Sequence, residues 1–171
     1  MTAIDGENRL RMPKRSKAQT QQTIETILAE AKRQLLALGY EGMSYTTLSE
    51  ATGVSRTGIS HHFPRKQDFM VALEPFLVES LRTPLDTSGT INAFMKSWMQ
   101  AMHAEGEFKA TLKLCFYVLI SGKADHGAAF RCLKTLQQEC EQQMQTDLTV
   151  AFSQLLGASV LLCRQRADAK S

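Results

Sequence analysis

The polar side chains between Tyr45 and Phe69, in the stretch YTTLSEATGVSRTGISHHFPRKQDF, are equipped to recognise a surface rather than to break a bond. Ser55, Arg56, Thr57, Ser60 and His61 fall on one side of a short helical pattern, while Leu48, Ala51, Val54, Ile59 and Phe63 fall on the other. Arg56 can grip a guanine edge with two parallel hydrogen bonds, and Ser55 and Thr57 can bond a base edge or touch a thymine methyl. Paired carboxylates at useful spacing, a glycine-rich phosphate loop, a nucleophile elbow and a zinc signature are all missing from the sequence. His61 and His62 are adjacent, so a helix sends them in different directions and they do not form a metal pair. Cys115, Cys132, Cys140 and Cys163 lack C-x-x-C spacing and read as free thiols packed like small apolar residues.

Two short helices around a glycine turn must hold this polar face. Thr47-Leu48-Ser49-Glu50 fits a capping box that opens the first of them. Gly53 closes it, because glycine enters the left-handed conformation of a sharp helix exit without strain. Ser55 caps the second. A longer helix precedes both, from Ser16 to Leu38, with Ser16-x-x-Gln19 as its cap. Ile24, Ile27, Leu28, Ala31, Leu35 and Leu38 lie on its inner face, and Gly39 lies at its end. A polar-faced helix clamped on an apolar frame by a glycine turn is the helix-turn-helix arrangement that enters the DNA major groove.

Charge placement agrees with a polyanionic partner. The net charge is only +3, but residues 1–70 carry ten Lys/Arg against seven Asp/Glu, whereas residues 71–171 carry ten of each. Arg9, Arg11, Lys14, Arg15 and Lys17 follow one another without an acid, so residues 1–15 read as a flexible basic arm for phosphates or the minor groove. The longest apolar run, Leu114–Ile120, is far too short for a membrane span. The first residues lack the apolar segment of a secretory signal, so the expected setting is cytoplasmic.

Taken together, LLALGYEGMSYTTLSEATGVSRTGISHHFPRKQDFM resembles the DNA-binding domain of the tetracycline-repressor (TetR) family. The matching signals are the Gly-Tyr after the first helix, Thr-Thr before the second, A-x-x-x-G-V-S at the turn and H-F-P-x-K-x-D into the fourth. The resemblance runs from residue 17 to about residue 80. It implies an all-α protein: a three-helix helix-turn-helix head over 16–64, then a connector helix and a short helical regulatory and dimerisation body over 65–171. It also implies DNA contacts from Thr46, Thr47, Ser55, Arg56, Thr57, Ser60, His61, His62 and Lys66. Family members commonly carry Thr and Tyr where this chain has Gly58 and Ser60, so the reading helix is atypical.

The fourth helix, about Arg65–Leu81, contains Glu74-Pro75, expected to kink the connector between head and body. Thr90 caps the next helix, with Ile91, Phe94, Met95, Trp98, Met99 and Met102 on one stripe. FKATLKLCFYVLI is apolar nearly all round and is expected to be central. After a loop at 122–127, a helix over 128–147 should turn Phe130, Leu133, Leu136, Cys140 and Met144 inward. The last helix runs over 148–164. Trp98, Met102, Phe116, Tyr117 and Phe130 are the candidate lining of an apolar effector pocket. A further terminal helix, usual in the family's dimer bundle, is missing from the pattern. The expected function is a sequence-specific transcription regulator, a ligand-responsive repressor binding a pseudo-palindromic operator as a homodimer. It has no cofactor, no bound metal and no membrane partner. The alternative is a ligand-independent DNA-bound scaffold or nucleoid-associated protein on the same fold.

Overall fold

The computed structural model describes residues 17–121 and 126–165. Eight helices and no strand occur among the described residues: α1 (Lys17–Gly42), α2 (Tyr45–Thr52), α3 (Arg56–His62), α4 (Lys66–Arg82), α5 (Ile91–His103), α6 (Glu107–Ser121), α7 (His126–Met144) and α8 (Thr149–Gln165). The basic arm, the Ser16 cap and most of the expected 122–127 loop lie outside the described residues, while His126 and Gly127 already belong to α7.

In α1, Ile27, Ala31 and Leu35 are buried and Ile24 and Leu28 pack beside them, but Leu38 is 56% exposed. Gly39 interrupts the helix as expected, with φ 75° and ψ 177°, yet helical bonding resumes to Gly42. That extra turn places Tyr40 and Met43 in the core.

The box that opens α2 sits three residues earlier than the sequence pattern suggested. Ser44, not Thr47, is the cap: its Oγ accepts from Thr47 N at 3.1 Å, and Thr47 Oγ1 accepts from Ser44 N at 2.9 Å. A threonine three positions on reaches back as well as a glutamate would, so Glu50 is left exposed. Ala51, expected inside, is exposed as well, because the earlier start leaves Leu48 as the one buried residue of α2.

Helix α4 runs unbroken through Pro75, so the connector does not end there. It packs most extensively on α7, and Glu74 and Arg131 pair across that contact at 3.0 Å. As expected, α6 is central: it touches α1, α4, α5, α7 and α8. Thr90 caps α5 by accepting from Ala93 N at 3.2 Å. Phe94, Trp98 and Met102 of that helix are buried, while Ile91, expected on the same stripe, is 37% exposed. In α7, Ala129, Cys132, Leu133, Leu136 and Cys140 are buried, whereas Phe130, expected inward, is 62% exposed. Ala128 and Ala129 are already buried, and Phe130, one residue on from Ala129, lies about 100° further round the helix.

Candidate DNA interface and head to body seam

The reading helix is fixed at both ends by short contacts. Gly53 takes φ 71° and its N–H bonds Ser49 O at 3.0 Å, which ends α2 and turns the chain. Ser55 Oγ then accepts from Gly58 N at 3.1 Å and opens α3. At the far end the Tyr45 hydroxyl donates to Phe63 O at 2.7 Å, tying the exit of α3 to the entry of α2. Phe63 stacks on Phe69 with ring centroids 4.5 Å apart, and Ile59 is wholly buried between these anchors. The inner side of α3 is therefore held by packing and the outer side is free to meet a partner.

On that outer side Ser55, Arg56, Thr57 and His61 are exposed, and Ser60 is half-buried with its hydroxyl donated to Thr57 O at 3.2 Å. Arg33, Arg65, Arg82 and Arg131 each pair with a carboxylate; Arg56 has no such partner among the described residues. An arginine kept clear of acids on an exposed first helical turn retains its full donor set for an external acceptor. The rings of His61 and His62 meet edge to face at 5.4 Å, with His62 half-buried. No group of three or more potential metal ligands occurs among the described residues.

Thr46 is exposed at the start of α2, but Thr47 is committed inward. Its hydroxyl donates to Gln34 Oε1 at 2.6 Å, and Gln34 Nε2 bonds Glu30 and the Thr47 carbonyl at 2.7 and 3.1 Å. Glu30 is gripped by Arg33 and Gln34, which hold its carboxyl down to about 2. This polar network locks α2 to α1. Its signal in the sequence, Gln34 on the inner face of an otherwise apolar helix, is visible only with the structure in hand.

Lys66, the first residue of α4, does not project freely. Its ammonium lies over the Tyr40 ring, 4.6 Å from the centroid, and burial lowers its pKa against the opposing pull of Glu41. Tyr40 stacks on Tyr117 of α6 at 6.2 Å, and the Tyr117 hydroxyl donates to Glu41 Oε1 at 2.6 Å. Farther along the seam, Glu107 Oε2 accepts from Lys32 of α1 at 2.9 Å and from Ser80 of α4 at 2.7 Å. The head is thus joined to α6 at two points.

The five residues expected to line a pocket are not gathered around one. Trp98 is wholly buried, donates Nε1 to Ser159 Oγ at 2.9 Å, and meets Phe108 and Phe152 edge-on at 5.1 and 5.2 Å. Met102 is core and Phe116 packs at its margin, while Phe130 faces outward. Tyr117 borders a cavity of about 490 Å³, but one between the end of α1 and the first half of α6.

Residues 27–73 match the family description "Bacterial regulatory proteins, tetR family". Residues 78–162 match the description "Tetracycline repressor LuxT C-terminal domain". No curated protein matches the chain.

Proposed function

Because the chain belongs to the tetR family of bacterial regulatory proteins and is a DNA-binding transcription regulator, we propose that it acts as a repressor on a pseudo-palindromic operator, bound as a homodimer. The observation that carries this reading is Arg56, exposed at the start of the reading helix and paired with no carboxylate among the described residues. Arg56, with Ser55 and Thr57 beside it, is assigned to base edges in the major groove. Thr46, Ser60, His61, His62 and Lys66 are assigned to the sugar-phosphate backbone. Thr47 is assigned to positioning α2 rather than to DNA, since its hydroxyl is spent on Gln34. We take 1–15 as a basic arm, 16–64 as the reading head and 65–171 as connector and body.

A single head offers few phosphate contacts, and affinity at cellular salt drops steeply as their number falls, so a twofold dimer is needed. Half-site spacing then depends on the angle each head makes with its body. A small molecule that favours one angle shifts the population of DNA-competent dimers by its differential affinity for the two states. A ligand-independent scaffold on the same fold is the second reading, favoured by the packing that closes the body around Trp98.

Footprinting the protein on its own genome tests the assignment, since it yields the site and the half-site separation. On that site Arg56→Ala should cost about 1–3 kcal/mol and relax the preference at one base position. Lys66→Ala should weaken binding to all sequences alike. Unchanged base preference in Arg56→Ala would show that α3 does not read the operator through this residue.

A further inference from the structure

We propose that the cavity on the α1–α6 seam binds a small acid with a planar apolar body, and that its occupant alters DNA binding by changing the angle between head and body. The second half rests on the regulator reading above; the binding half does not.

The charge in the cavity points to an anion. The Lys109 side chain is 6% exposed, yet its partner at 2.7 Å is Glu105, whose side chain is 71% exposed. An ion held by a solvated partner gains little from that pairing in particular, so another carboxylate can replace Glu105 without leaving a buried ammonium unpaired. Lys113, one turn along α6, borders the same cavity, is exposed, and pairs with no carboxylate among the described residues. The two acids at the cavity already accept hydrogen bonds, Glu41 from Tyr117 and Glu105 from Lys109. Lys113 is therefore the lysine of the lining left to meet a further carboxylate.

The shape points to a flat apolar body. Tyr117 presents an exposed ring to the cavity, backed by the buried Tyr40 with ring planes 30° apart. Leu35, Leu38 and Leu114 complete the apolar wall. Leu38, exposed at the end of the buried stripe of α1, forms the accessible apolar rim of the cavity. A volume of about 490 Å³ is within the ordinary range for small-molecule sites.

The position supplies the coupling. The cavity's α6 wall lies between the two cross-links of that helix to the head, Lys32–Glu107 and Glu41–Tyr117. An occupant touching both helices must hold or spread them. Tyr40, on the cavity wall, also carries the ammonium of Lys66 at the entry to α4. A shift of α1 against α6 therefore reaches a residue assigned to the DNA backbone.

The test titrates the full-length, ¹⁵N-labelled chain with benzoate and, separately, with benzamide, which has the same outline and no charge. Benzoate should shift the amides of residues 35–41 and 105–117. Benzamide should bind roughly tenfold more weakly, and Lys113→Gln, a surface change, should weaken benzoate to a similar degree. Benzoate shifts confined to other residues, no benzoate shifts at all, equal binding of benzamide, or undiminished binding by Lys113→Gln would each overturn the site. On the footprinted operator, benzoate should change the affinity of the original chain, and Lys113→Gln should need roughly tenfold more benzoate for the same change. Binding at the seam with no change in operator affinity would overturn the effector role. A chain that selects no operator would refute the regulator reading and leave the benzoate titration standing as the test of the site.

Discussion

At the scale of single residues, three positions decide how α3 and its frame behave. Arg56 matters because it pairs with no acid among the described residues. Gly58 matters because a Cβ there would lie 3.2 Å from both Ser55 Oγ and Val54 Cγ1. Its absence lets the Ser55 cap close, which offsets the roughly 1 kcal/mol that glycine costs inside a helix. Glu30 matters because its carboxylate, held at about 2 by Arg33 and then Gln34, anchors the network that reaches Thr47. A carboxyl whose pKa is depressed on folding stabilises the fold above its unfolded value, near 4.5, and that contribution is lost as pH falls through about 2. Glu30→Gln should therefore cost about 1–2 kcal/mol in urea unfolding at neutral pH. The gap between the two proteins should narrow steadily as the solution is acidified across that window. A gap independent of pH would mean that the carboxylate's charge is not what holds α2.

At the scale of elements, α4 joins the helix-turn-helix helices to the rest of the bundle, and in the proposed regulator it is the helix that would carry a change from body to head. Pro75 has no N–H for the Val71 carbonyl, so one bond of its ladder is missing. Pro75 is exposed, and its replacement removes no core contact. Pro75→Ala should raise stability by about 1 kcal/mol or more, part of the ~3 kcal/mol that separates proline from alanine in a helix interior. Calorimetry on the purified protein would read this as a higher unfolding midpoint. A lower midpoint would show that the packing of α4 on α7 is built around the proline's geometry, the kink expected from the sequence.

At the scale of the whole molecule, α8 contacts α5 and α6 on one side and leaves its other side open. Val150, Leu161 and Val160 are 71%, 66% and 42% exposed, and Phe130 of α7 adds another outward ring at 62%. Gly157 lies on the same open side of α8, and a Cβ there would meet nothing within 4 Å in its own chain. Apolar residues recurring along one face of a terminal helix, with a glycine between them, suit close approach of a second copy. If the proposed dimer forms through this face, Leu161→Asp should give a monomer in sedimentation velocity and weaken operator binding with it, while the unfolding of the monomer stays unchanged. A dimer that persists would place the twofold axis on another face.

The amino-acid sequence by itself determined the helices, the glycine turn, the Ser55 cap, the outward set around Arg56 and the family. Each of these depends on neighbours within a few positions, where side-chain period and cap chemistry act directly. It placed the opening of α2 wrongly because Thr47 and Glu50 offered a local pattern as good as Ser44 and Thr47. Only the tertiary structure could decide between them, since Gln34 of α1 claims the Thr47 hydroxyl. The same holds for the pocket residues. Aromatic side chains at helical spacing look alike whether they line a cavity or fill a core, and Trp98 fills one because Phe108, Phe152 and Ser159 converge on it from three other positions in the chain. The seam at Lys32–Glu107 and Glu41–Tyr117 joins residues some seventy-five positions apart. No local pattern encodes such a pairing; it exists only once α1 and α6 pack side by side.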